Sequence, residues 1–381
     1  MTTSELERLT QIRHHLHRHP ELSGQESESA AWVASELEKC NPDEVLTGVG
    51  GHGVIARFGD SLDGPNVLFR SELDALPIPD EGDHDHRSER EGVSHACGHD
   101  GHTTCLLGLA AWLGQNRPPS GTVWLLFQPA EETGEGAEAV MKDDRFQSVV
   151  PDRSYAFHNL PGFDEGRLYL REGVFASASV GIKIELSGSS SHAAYPEQGR
   201  NPARAVAKLI SELQKHCVRD LSDDQYAIAT VTYIRLGERA FGISPGRAEM
   251  GITLRAARDE SVDRLKQQLV KLLGRVSREF GLENQWLELE PFAATVNDTA
   301  AVEITKKAAG LAGTPVELLE NPFPWSEDFG HLSKQSDVQL MGIGSGKDHP
   351  HLHAGNYDFN DNLIPTGVGL FKKILEVEWN R

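Results

Sequence analysis

Residues 122–137 read TVWLLFQPAEETGEGA: a largely apolar run that ends in two glutamates and then a glycine-rich turn. A continuous apolar run of this length indicates a strand covered on both faces, as in a mostly parallel sheet packed against helices. The change to acid puts Glu131 and Glu132 just beyond the strand's carboxyl end, where open α/β sheets collect their ligands. A glutamate pair is ordinarily a solvated surface feature. One that closes a buried strand and opens a glycine turn is expected near a site. There the two carboxylates can divide the work, one holding a cation and the other staying free as a base.

The same grammar extends outward. Segments 53–58 (GVIARF), 66–76 (NVLFRSELDAL) and 154–160 (SYAFHNL) read as strands, while 5–19, 26–40 and 101–115 carry the periodicity of helices. Around residue 176 the pattern changes. Strand (178–188), helix (200–216), two strands (226–237 and 247–257), a long helix (259–281) and a last strand (284–292) give the order βαββαβ, that of a ferredoxin-like unit. A helix (299–313) and a strand (338–344) then resume the first pattern. The expected architecture is an α/β catalytic domain with a mostly parallel sheet, residues 1–175 and 291–381, interrupted by a ferredoxin-like domain, 176–290.

Composition narrows the function. The 381 residues carry 37 basic and 57 acidic side chains, a net charge of −20. That field repels phosphate backbones and argues against nucleic-acid binding. No apolar run approaches the roughly 20 residues that span a bilayer, so no membrane association is expected. The N-terminus lacks the apolar core of a signal peptide, and four scattered cysteines make no disulfide framework. A cytoplasmic location is the simplest expectation.

Metal-type side chains recur at the strand ends. Asp74 follows the strand at 66, Glu131 and Glu132 follow the strand at 122, and His158 closes SYAFH. Cys97 and His99 precede the helix at 102–115, and His353 follows the strand at 338. Five segments thus bring ligand-type groups to one edge of one sheet. The stretch SHACGHDGHTTC (94–105) admits two chemistries. Cys97 near a helix start is a possible nucleophile with His99 or His102 as base. The surrounding carboxylates instead favour a hard or borderline cation. A structural zinc finger fits poorly, because no second C-x-x-C completes four ligands.

Taken together, SELDALPIPD, SHACGHDGHTT, FQPAEETGEGA, FHNLPG, SGSSSHAAYPE, SEDFG and LHAGNYDFNDNLIPTG, in this order over essentially the whole chain, resemble the binuclear metallohydrolases of the aminoacylases and bacterial metallocarboxypeptidases. The nearest branch holds indole-3-acetyl-amino-acid hydrolases, hippurate hydrolases and N-acetyl-diaminopimelate deacetylases. The resemblance implies two divalent ions (manganese or zinc, with cobalt or nickel as alternatives) on Cys97, His99, Glu132, His158 and His353, with Cys97 bridging. It implies Glu131 as general base, Asp74 as an orienting aspartate, and His192 as a group reaching a neighbouring subunit's site in a homodimer formed through the inserted domain. Its substrate would be a small N-acyl amino acid or a dipeptide, with Asn201 and Arg247 as candidate substrate-binding residues.

Departures from the family pattern fall at Ser189, Ser190 and Ser191, where glycines are usual, at Asn201-Pro202, in FGISPG (241–246), and at LHAG (352–355). They leave the ligand set intact and bear on specificity. Other histidine-rich stretches carry a plainer expectation. Residues 13–22 read as a structural helix end and 80–91 as a solvated loop. His95 and His102 are expected to support the ligands, and Cys40, Cys105 and Cys217 to pack.

Overall fold

Segment 122–137 begins with the strand Thr122–Gln128, and every residue of that strand is buried. It pairs in parallel with Asn66–Glu72, which pairs in parallel with Arg153–Pro161, which pairs in parallel with Asp337–Gly346. These four form the centre of an eight-stranded sheet. On one side Gly53–Phe58 pairs antiparallel with the centre and Glu44–Val49 antiparallel with it in turn; on the other Leu168–Leu170 pairs antiparallel with the centre and Val316–Leu318 in parallel with Leu168–Leu170. The computed structural model describes residues 1–60, 63–222 and 225–381.

The apolar faces of the helices Thr3–Arg18, Ser27–Glu38, His99–Leu113, Thr299–Ala312 and Leu363–Trp379 join the sheet in one core. Phe69 on the second central strand meets Phe371 edge-on, with ring centroids 4.9 Å apart, and both are buried. Each such side chain contributes about 1.5–3 kcal/mol through the area it removes from water. This core fixes the strand ends, and so the residues that follow them.

Two sequence expectations shift. The helix expected from 102 starts earlier, at His99, so that His99 occupies its first turn. His158 does not end its strand, because pairing with Asp337–Gly346 runs on to Pro161.

The chain divides into two compact units. One comprises Met1–Phe175, Thr295–Glu320 and Asp328–Arg381, the other Ala176–Ala294 and Asn321–Glu327. In the second, the strands Ala178–Ser187, Ala227–Leu236, Arg247–Ala256 and Glu283–Phe292 form an antiparallel sheet in the order second, third, first, fourth. The helices Ala203–Leu213 and Asp259–Phe280 pack their apolar stripes, among them Leu209, Leu265, Leu269 and Val276, against Ile182, Ile184 and Leu254. The segment 321–327 was not apparent from the sequence. It joins this unit where Ser177 donates through its N–H to the Trp325 carbonyl and through Oγ to that of Phe323.

Candidate metal centre

Gly98 sets the geometry of the stretch that carries Cys97 and His99. Its φ is +90°, and a Cβ there would lie 2.6 Å from Asn159 Oδ1 and 2.8 Å from Tyr357 Oη. Only glycine satisfies both demands. Two other turns at the site take left-handed backbone without glycine. Ala130, just before the glutamate pair, has φ +51°, and His353 has φ +63°. Such conformations cost about 1–2 kcal/mol each and persist where neighbours hold them. Ala130 N–H donates to Glu26 Oε1 at 2.8 Å, and His353 N–H to the Ala96 carbonyl at 2.8 Å.

The six side chains expected at the site converge. Donor atoms of Cys97, His99 and His158 lie within 4.8 Å of one another, as do those of Cys97, Glu132 and His353, and those of His99, Glu131 and Glu132. Cys97 Sγ is 3.5 Å from His158 Nε2. His99 Nε2 stands 3.8 Å from Glu131 Oε2 and 3.9 Å from Glu132 Oε1, and His353 Nε2 stands 3.7 Å from the same Glu132 oxygen.

Hydrogen bonds orient the donors. His99 Nδ1 lies 2.9 Å from the Asp74 carbonyl, and His158 Nδ1 lies 2.9 Å from the Asn159 carbonyl. A carbonyl only accepts, so both rings carry a proton on Nδ1 and turn Nε2 inward. Asp74 Oδ2 accepts from Ser23 Oγ–H at 2.7 Å and from the Glu132 N–H at 2.9 Å. Through its carbonyl and this carboxylate oxygen, Asp74 steadies His99 and Glu132 at once. His99 Nε2 and Glu132 Oε1 are buried with no hydrogen-bond partner among the described residues. Leaving such atoms unmet costs about 1–3 kcal/mol each. A cation between them would remove that cost, and this donor set of thiolate, imidazole and carboxylate suits a borderline divalent ion.

The electrostatics agree. Burial, with Asp74 and Glu72 nearby and despite His99, pushes the Glu132 carboxyl up to about 7. Burial and then Glu132 and Glu131 push the Cys97 thiol well above its usual range. Burial and the neighbouring His102 hold His158 down to about 3. The anionic forms of these donors disfavour one another, a balance that a bound cation inverts. A thiol nucleophile would need a base beside Sγ. The sequence had offered His99 or His102 as that base, whereas the imidazole next to Sγ is His158.

Beneath the donors lies a polar network of which sequence reading singled out His102 alone. Arg70 pairs with Glu72, donates through Nη2 to Asp328 Oδ1 at 2.6 Å, and donates through Nε to Gln128 Oε1 at 2.9 Å. Glu72 Oε2 accepts from His102 Nδ1 at 2.7 Å, and His102 Nε2 lies 2.6 Å from Asn159 Oδ1. All of these residues are buried. The available signal was an arginine and a glutamate inside an apolar strand.

The remaining candidates belong to the smaller unit. The exposed His192 accepts the Ala194 N–H at Nδ1, 3.0 Å away, which leaves Nε2–H as the ring's donor. Asn201 is occupied locally: Oδ1 accepts from the Ala203 N–H at 2.8 Å and Nδ2 donates to Ser244 Oγ at 3.1 Å. Arg247 lines a cavity of about 960 Å³ with Ser189, Ser190 and Arg235.

Known proteins resemble this chain over nearly its full length. Residues 68–377 match the model of peptidase family M20/M25/M40. A hippurate hydrolase of Campylobacter jejuni is 30% identical over 95% of this chain and 94% of its own length. An N-acetyl-L-cysteine deacetylase of Bacillus subtilis is 32% identical over 90% of this chain and 81% of its own. Among solved structures, a Bacillus subtilis protein described as a dinuclear metal-binding peptidase of family M20 superposes with a TM-score of 0.82 at 25% identity, covering 98% of both chains. The chain belongs to peptidase family M20/M25/M40 and is a hydrolase of amide bonds.

Proposed function

We propose that the protein hydrolyses the amide bond of N-acyl amino acids in a reaction dependent on two divalent ions. The observation that carries this is the pair of donor triads, Cys97–His99–His158 and Cys97–Glu132–His353, which have Cys97 alone in common. Those five residues would hold the ions, with the Cys97 thiolate shared. When bound, two such ions polarise a carbonyl and make a water a nucleophile at neutral pH.

The chain's own groups do the rest. The Glu131 carboxylate, 3.8 Å from His99 Nε2, takes the proton of the attacking water and passes it to the departing nitrogen, which otherwise leaves poorly as an amide anion. Asp74 holds His99 and the Glu132 backbone in place for this. His192, with Nε2–H as its donor, would steady the oxyanion or the substrate carboxylate from the smaller unit of a neighbouring subunit. A donor of that kind is worth about 3–4 kcal/mol in acyl-transfer chemistry. Arg247 and Asn201 would contribute to binding the substrate. The relatives named for hippurate and N-acetylcysteine support an N-acyl amino acid over a longer peptide, with dipeptides as the second reading.

A panel of N-acetyl, N-benzoyl and indole-acetyl amino acids and dipeptides, assayed with manganese, zinc, cobalt and nickel, tests the proposal. At least one N-acyl amino acid should be turned over faster than every dipeptide. A preference for dipeptides would overturn the substrate assignment.

A further inference from the structure

The histidine-rich stretches 13–22 and 80–91 share no donor with the centre described above, and both bury histidine side chains. His17, near the end of the helix Thr3–Arg18, is fully buried. The loop expected to be solvated alternates instead: Glu81, Asp83, Asp85 and Arg87 are exposed, while Gly82 and His86 are buried and Asp80 and His84 half-buried. His84 packs over Gly82, where a Cβ would lie 2.4 Å from His84 Nε2. The rings of His84 and His86 stack at 4.1 Å, and that of His14 stacks on His86 at 3.8 Å.

We infer that His17, His84 and Asp358 form a further cation site, separate from the proposed two-ion centre, that takes a zinc-class divalent ion. Their donor atoms lie within 4.8 Å of one another. Asp80 stands beside them, its Oδ2 3.4 Å from His17 Nε2 and its Oδ1 3.7 Å from His84 Nε2. His17 Nδ1 is 2.7 Å from Asp100 Oδ2, the carboxylate–histidine arrangement that turns the other ring nitrogen toward a metal. That nitrogen, His17 Nε2, has no hydrogen bond among the described residues. Neither has either ring nitrogen of His84.

A charge-paired helix anchor made by Arg13, His17, Asp100 and Asp358 explains the salt bridges. It leaves both imidazole nitrogens of His84 without a hydrogen bond among the described residues, and His17 Nε2 facing Asp80 at 3.4 Å. Two imidazoles with carboxylates select a borderline ion over magnesium or calcium, which prefer all-oxygen shells. Asp358, with His86, also lines a cavity of about 410 Å³. The ion would join three chain segments, the first helix, the loop at 80–91 and the stretch at 358.

The test loads the metal-stripped full-length protein with zinc alone and counts bound zinc after gel filtration. His84→Ala should hold one equivalent fewer than wild type and lose most of the zinc-induced rise in melting temperature. Its histidine makes no hydrogen bond whose loss would unfold the chain; should alanine still misfold, His84→Gln repeats the comparison. The same one-equivalent loss should appear when His84→Ala is combined with His353→Ala, which removes a donor of the other centre. Equal zinc content in wild type and the His84 variants would overturn the site and leave the cluster as the helix anchor. A deficit confined to His353→Ala would bear on the two-ion centre alone.

Discussion

His99 and Asp74 are joined twice: the imidazole Nδ1 lies 2.9 Å from the Asp74 carbonyl and 3.3 Å from its Oδ1. Because Asp74 also accepts the Glu132 N–H, one buried carboxylate sets the aim of an imidazole and a glutamate from different segments. Removing its charge should therefore act through the ligands. Asp74→Asn is expected to weaken metal affinity roughly 10–100-fold while leaving the fold intact. Competitive titration against a chelating dye reads this directly, and an unchanged affinity would show that Asp74 positions nothing.

Glu131 and Glu132 are adjacent in sequence yet given different work. Glu131→Gln should keep its metal content and lose turnover by about 10²–10⁴-fold, the usual contribution of a positioned base. Glu132→Gln should lose metal. Elemental analysis beside kcat separates the two, and a swap of phenotypes would reverse the assignment.

Gly98→Ala places a side chain where φ is +90° and Asn159 and Tyr357 leave no room. The backbone term alone costs about 1–2 kcal/mol, and the close contacts add to it. A lowered melting temperature together with reduced metal content is expected. A variant matching wild type in both would mean that the turn does not set the Cys97–His99 geometry.

Stability of the metal-free protein should depend on pH through His17. Burial disfavours its charge, but the carboxylate of Asp100 outweighs this and raises its pKa to about 9. The folded value exceeds the unfolded one near 6.5. The stabilisation is therefore complete below pH 6.5 and disappears as pH rises through about 9. Its size is on the order of 3 kcal/mol. Urea unfolding at pH 6 and pH 9.5 should show the loss in wild type and a smaller one in His17→Gln; parallel curves would refute it.

The sequence disclosed what depends on pattern. An apolar run ending in acid marked Thr122–Gln128 and its glutamates, and ligand-type residues at strand ends and before a helix made Cys97, His99, His158 and His353 candidates. What escaped has no local pattern. The left-handed turns at Ala130 and His353 occur at residues that seldom adopt them, so neighbours rather than the chain impose them. The three-residue strands Leu168–Leu170 and Val316–Leu318 are too short for periodicity to register. In 80–91 the abundance of charge hid a period-two alternation that buries His86 and leaves its neighbours in water. Arg70 and Glu72 were visible as charges within an apolar strand, but their partners Asp328 and His102 come from distant segments.

The central claim is that amide hydrolysis here depends on divalent ions held by Cys97, His99, Glu132, His158 and His353. The most direct measurement is turnover of the preferred N-acyl amino acid after exhaustive chelation, followed by stepwise return of manganese or zinc. Activity should vanish on chelation and return with the metal in wild type, and should not return in Glu131→Gln. Full activity in the chelated protein, accompanied by a covalent acyl adduct on Cys97, would contradict the account and make the thiol the nucleophile.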